Sequence, residues 1–239
     1  MVRTSLFRQV LFVDWHGVLS LDVFWASILQ SDTHPLRSEL EAKLSRILFC
    51  QSIWEGWMKG NLSSQDIISE LDIRLSHRFR PDFLIRRLLQ DCARMRVNLE
   101  LLNLFRQADP AVPIVLATDN MDCFAQVFKQ ARASPRRSAK EPGTLAACPT
   151  FFADILCSSD FRILKAEDPS GFFGSWLSSR HLDFSDALLI DDRLDNCKAF
   201  RRHGGSSIQW KLGHSGLNEI VEPLNGWLQK TQTNRDRFY

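Results

Sequence analysis

Asp14 and His16 stand two residues apart in "LFVDWHGVLS", residues 11–20, with Gly17 next. The carboxylate offers a nucleophile or a metal ligand. The imidazole, with an unperturbed pKa near 6.5, offers acid–base chemistry near neutrality. Thr118, Asp119 and Asn120 form a second polar group in "IVLATDN", and Asp191 and Asp192 a third in "ALLIDDRLDN". Four carboxylates brought into one crevice repel one another unless a cation neutralises them. An all-oxygen donor set suits Mg²⁺, which takes one or two carboxylates, keeps waters and accepts substrate phosphate. The residue types therefore point to a magnesium site handling a phosphoryl group.

Convergence requires elements that end together. "QVLFVD" running to Asp14, "VPIVLATD" running to Thr118 and "DALLIDD" running to Asp191 and Asp192 are apolar stretches without polar alternation. They read as strands covered on both faces. "FADILCSSD" and "SSIQW" are weaker members of the same class. Helical patterns lie between them, in "MDCFAQVFKQAR" and "LDNCKAFRRHG". The alternation predicts an α/β protein with a Rossmann-like parallel sheet, whose ligand crevice lies outside the carboxyl ends of the strands.

From Leu21 to Ala108 the sequence shows helical spacing and no strong strand. "NLSSQDIISELDIRLS" carries a serine cap signal, and "PDFLIRRLLQDCARM" places Pro81 where a helix start favours proline. The organisation expected is a core of residues 1–20 and 109–239, interrupted by an all-helical cap over 21–108. The stretch 131–149, rich in Ala, Pro, Ser and base, reads as a long mobile connection, either a solvated linker or a basic flap over a phosphate. The polar tail "TQTNRDRFY" reads as frayed.

Composition excludes several classes. A formal charge of +2 over 239 residues gives no electrostatic case for nucleic acid as the main partner. No stretch reaches the roughly 20 apolar residues of a membrane span, and Asp14 interrupts the short N-terminal apolar run that a signal peptide would need. Six cysteines without a Cys-x-x-Cys pair argue against a zinc knuckle or a thioredoxin-like motif and suggest a reducing, cytoplasmic compartment. The oligomeric state is left open.

"LFVDWHGVL" resembles the first motif of the haloacid dehalogenase superfamily, a hydrophobic strand followed by Asp-x-Asp-Gly. "IVLATDN" is similar to its second motif, "SSDFRILKAEDPSGFF" to its third and "ALLIDDRLDNCKAF" to its fourth, with Asn196 at a familiar spacing. The four occur in order from Leu11 to Phe200, and the helical insert matches the family's cap. The resemblance implies a Mg²⁺-dependent phosphatase of a small phosphorylated metabolite. Asp14 would be the nucleophile that forms an aspartyl-phosphate. Thr118 would bond a phosphoryl oxygen, Lys165 would neutralise charge, and Asp119 and Asn120 would line the substrate site. Asp14, Asp191, Asp192 and the backbone carbonyl of His16 would hold the metal. His16 replaces the second aspartate that most family phosphatases use as acid and base. Carbon–halogen-cleaving members carry Tyr there, phosphonate-cleaving ones Ala. Two alternatives stay open: an enzyme retuned for another bond or a transfer reaction, and a silent binder of a phosphorylated ligand or protein.

The remaining histidines, at 34, 77, 181, 203 and 214, are dispersed and read as surface or partly buried groups. Trp54 and Trp57 either line a cap pocket for an apolar leaving group or pack the cap core. Phe24 and Trp25 sit where the chain enters the cap and either shape the pocket or pack a hinge. Lys43 and Lys59 are cap lysines that nothing singles out.

Overall fold

The computed structural model describes residues 8–134 and 141–233. β1 (Val10–Val13), β2 (Ile114–Thr118), β3 (Asp154–Cys157), β4 (Ala187–Asp191) and β5 (Ser206–Gln209) form one parallel sheet in the order β3-β2-β1-β4-β5. The three central strands are buried throughout. Alternate side chains enter opposite faces, as the pleat dictates. Leu11, Val13, Leu116 and Ile190 join one cluster, while Val10, Phe12, Val115 and Leu189 join the other. Uninterrupted apolar sequence is the consequence of this double covering. The half-exposed Ser-Ser-Ile-Gln run of β5 fits an edge position.

Six helices lie between β1 and β2: α1 (Ala26–Leu29), α2 (Arg37–Phe49), α3 (Gln51–Met58), α4 (Ser64–Leu71), α5 (Phe83–Ala93) and α6 (Leu99–Ala108). α7 (Asp122–Ala133) follows β2, and α8 (Ser158–Phe161) and α9 (Pro169–Ser178) follow β3. α10 (Leu194–Arg202) joins β4 to β5, and α11 (Asn218–Thr233) closes the described chain. Phe172, Phe173 and Trp176 of α9 and Phe200 of α10 cover one sheet face around Phe12. α6, α7 and α11 cover the other.

The helices α1 to α5 share a second hydrophobic cluster, built on Trp25, Ile28, Leu40, Trp57, Ile67 and Leu88 and joined by Met121 and Cys123 from the start of α7. Ser63 caps α4 through a reciprocal capping box with Asp66. α6 differs: Leu101, Leu102 and Phe105 pack with Leu11 and Ile114 against the sheet, although α6 falls within the 21–108 segment. Pro81 does not open α5. The helix starts at Phe83 after Asp82, because residues 80–83 close a turn through Phe83 N–H donating to Arg80 O at 3.0 Å.

The 131–149 stretch is also less open than its composition suggests. α7 runs to Ala133. Beyond 140 the chain returns to the core, where Leu145 N–H donates to Met95 O at 2.8 Å and Leu145 and Cys148 are buried. Two apolar side chains in a polar stretch suffice to pin it. Of the 131–149 stretch read as a linker or basic flap, residues 135–140 lie outside those described, as do residues 1–7 and residues 234–239 of the polar tail. Among the described residues no helix is long and apolar enough to cross a membrane.

Candidate active site

β1 stops where Asp14 turns its side chain to the end of the sheet. Asp14 N–H still donates to Ile190 O at 2.9 Å, and Asp14 Oδ1 accepts from Trp15 N–H at 2.7 Å. The following turn needs Gly17, which has φ +84° and would bring a Cβ to 2.4 Å from Asp192 Oδ2. Trp15 is buried against Phe124 and anchors the turn from below.

Lys165 is the hub. It is 1% exposed, and its Nζ lies 3.0 Å from Asp14 Oδ1, 2.6 Å from Asp191 Oδ2 and 3.1 Å from Ala117 O. These contacts occupy the three ammonium protons. Its backbone N–H donates to Asp119 Oδ1 at 2.9 Å, which ties the loop after β2 to the same lysine. Arg162, the other basic residue of that motif, is exposed. Asp191 ends β4 fully buried, and Asn196 Nδ2 in the first turn of α10 lies 3.1 Å from both of its carboxylate oxygens.

Asp14, Asp191 and Asp192 each present a carboxylate oxygen, all within 4.8 Å of one another. Burial pushes the Asp14 carboxyl up to about 8, helped by Asp191 and Asp119 and opposed by the Lys165 ammonium. Asp119 and Asp192 are also raised, first by burial. Burial alone would lower Lys165, but Asp14, Asp191 and Asp119 outweigh it and hold the ammonium protonated. The cluster is thus short of positive charge, and its hard oxygen donors fit a divalent cation. Thr118 closes β2 fully buried, with no hydrogen-bond partner for its Oγ1, a hydroxyl able to donate to an oxyanion.

The structure thus brings together Asp14, Asp119, Lys165, Asp191 and Asp192, with Thr118 ending β2 one residue past Ala117, whose carbonyl accepts from Lys165 Nζ. Asn120 is buried beside them, its N–H donating to Ser158 Oγ at 2.9 Å and its own Oδ1 accepting from Met121 N–H at 3.0 Å. His16 is exposed and stands near Asp192, whose carboxyl it tends to lower. Sequence reasoning noted the spacing of Asn196 without giving it a place among the site residues. The signal was its position five residues after Asp191, one helical turn beyond the strand end. Of the cap lysines, Lys59 pairs with Glu167 at 2.8 Å and Lys43 with Glu39 at 3.0 Å.

A cavity of about 430 Å³ opens above the acids. Asp14, His16, Asp119, Asn120 and Asp192 form its floor, while Phe24, Trp54 and Trp57 contribute to the opposite wall. Trp57 is at once a wall residue and a member of the helical cluster, so the two readings of that residue are both met.

No family model and no curated protein matches the chain. Solved structures do. A predicted HAD-like family hydrolase from Porphyromonas gingivalis superposes with a TM-score of 0.63 at 14% identity, covering 90% of this chain and 97% of that one. A HAD family enzyme from Bacteroides thetaiotaomicron, solved in complex with magnesium and inorganic phosphate, gives 0.59 at 16%, covering 87% and 96%. The L-2-haloacid dehalogenase of Xanthobacter autotrophicus, with chloropropionic acid covalently bound, gives 0.52 at 9%, covering 83% and 76%. The chain has the haloacid dehalogenase-like fold.

Proposed function

We propose that, on this haloacid dehalogenase-like fold, the chain hydrolyses phosphate monoesters of small molecules with Asp14 as nucleophile and Mg²⁺ as cofactor. The observation that carries the reading is the Lys165 ammonium bridging Asp14 and Asp191, with Asp192 completing a set of close carboxylates. Asp14, Asp191, Asp192 and the carbonyl of His16 would hold the ion, which supplies positive charge against the phosphoryl oxygens. Asp14 attacks phosphorus, so that an Asp14–phosphorus bond forms as the ester P–O bond breaks. The leaving oxygen takes a proton from His16, which lines the cavity beside the acids. His16 then accepts a proton from the water that hydrolyses the aspartyl-phosphate. Thr118 Oγ1 donates to a phosphoryl oxygen, and Lys165 holds Asp14 in place and neutralises charge. The helices α1 to α5 act as the cap that excludes bulk water. Five buried free cysteines support a reducing compartment such as the cytoplasm.

The dehalogenases among the similar structures define the competing reaction. Phosphate release from a panel of monoesters, measured with Mg²⁺ and with chelator, decides between them. Metal-dependent release that disappears in Asp14→Asn is expected. Chelator-resistant halide release from 2-haloacids, without phosphate release, would overturn the reading.

A further inference from the structure

The cavity is divided by chemistry. Six of its polar lining residues, Asp14, His16, Asp119, Asn120, Asp192 and Arg193, come from the strand-end loops. The helical segment supplies Phe24, Leu29, Leu44, Leu48 and Trp54 among others, and its one polar contribution, Asp22, is held by Arg96, whose Nη2 donates to Asp22 Oδ1 at 2.6 Å. The indole N–H of Trp57 is also spent, on Ser64 Oγ at 3.1 Å. The Trp54 indole N–H and the Asp22 carboxylate are then the polar groups this wall can offer a leaving group, so one rich in hydroxyls would leave most of them unpaired, and unpaired buried polar groups are costly. At the rim, Val23 and Leu48 are 43% and 45% exposed, so the apolar surface continues to the opening. A volume of about 430 Å³ is that of a whole small-ligand site, far more than a phosphoryl group needs.

We infer that the substrate is the phosphate monoester of an apolar alcohol, aliphatic or aromatic, whose hydrocarbon part lies against Phe24, Leu44, Leu48 and Trp54. This inference rests on the phosphatase reading for its chemistry and on the cap wall for its specificity. Sugar phosphates and nucleotides are the disfavoured classes.

The test is a series of n-alkyl phosphates from propyl to decyl, with 1-naphthyl phosphate, glycerol phosphate, glucose 6-phosphate and AMP, assayed for phosphate release in Mg²⁺. kcat/KM is expected to rise about three- to fourfold per methylene until the cavity is filled. Each hydroxyl carried into the wall should lower it by about tenfold or more. Leu48→Asp, at an exposed position where a charge leaves folding intact, should cost the longest chains most. A flat chain-length profile, or preference for glucose 6-phosphate or AMP, overturns the inference while leaving the phosphatase reading standing. Non-hydrolysable alkylphosphonates, titrated by calorimetry, separate the opposite case. If no ester is hydrolysed but phosphonate affinity climbs with chain length, the phosphatase reading falls and the apolar subsite stands.

Discussion

The floor and the roof of the cavity are built by opposite means. On the floor, the most buried charged groups are each fixed by more than one partner: Lys165 by three oxygens, and Asp191 by Lys165, Asn196 and the Arg193 N–H. On the roof, apolar side chains pack in a cluster that meets the region after β2 through Met121 and Cys123 and through a few polar contacts. Asp122 accepts from Ser64 N–H at 3.0 Å, Ser158 Oγ donates to Met58 O at 2.7 Å, and Lys59 pairs with Glu167. Directional bonds specify positions to a fraction of an ångström, whereas dispersion contacts specify volume and tolerate substitution. The reaction type is therefore held by the floor, and the choice of leaving group is free to change in the roof.

Asp14→Asn tests the floor hardest. It keeps size and removes the nucleophile, so turnover should fall on the order of 10⁴-fold or more. Roof substitutions should never approach that loss. Next comes Lys165→Met. It leaves two buried carboxylates facing each other without their ammonium, a loss of about 3–5 kcal/mol in metal-free stability by denaturant titration. Mg²⁺ should restore part of it, and a variant as stable as the parent in chelator would show that the hub is not holding the floor.

The same imbalance gives a pH dependence. The Asp14 carboxyl is raised by burial to about 8, so the folded state holds its proton more tightly than the unfolded chain does. The stability this group contributes is fully present below the ordinary Asp range and drains away as pH rises through about 8. Chelated protein should lose up to about 1.4 kcal/mol per pH unit from this source between roughly pH 4 and pH 8. Asp14→Asn should flatten that slope, and Mg²⁺ should do the same for the parent. An unchanged slope in Asp14→Asn would assign the effect elsewhere.

The floor was legible in the sequence and the roof only as paired alternatives, for a physical reason. A doubly covered strand must be apolar throughout, so its first polar residue marks its end, and three such ends located Asp14, Thr118 and Asp191. Lys165 was legible only through resemblance, because it reaches the site from a loop after the short α8, where no periodicity sets its position. Periodicity found the helices, but it does not say where their apolar faces stop packing and start lining a cavity, as Trp57 and Leu44 show. Nor did it separate α6, whose apolar face serves the sheet. The 131–149 stretch misled because composition averages over residues, while Leu145 and Cys148 pin the chain singly.

Asp122 probes the seam between the two regions. Its carboxylate gathers Ser64 N–H and Oγ and the Trp57 indole at the start of α7. Asp122→Ala should cost about 1–3 kcal/mol. Hydrogen exchange should quicken in α3 and α4 while β1, β2 and β4 stay protected. Equal loosening of the sheet would mean that the two regions unfold as one.

His16 is the exposed member of the floor, and it stands near Asp192. If its task is to pass a proton to the leaving oxygen and take one from water, a carboxylic acid at the same place can do both. His16→Asp should then keep turnover within about tenfold of the parent, as general acid–base groups of either type serve this step. The new carboxylate would also join an already electron-rich cluster, so its Mg²⁺ requirement should tighten and its loss of activity in chelator should steepen. A hundredfold loss that added metal does not recover would mean that the imidazole acts through its shape or its hydrogen bonds, not through the proton it carries.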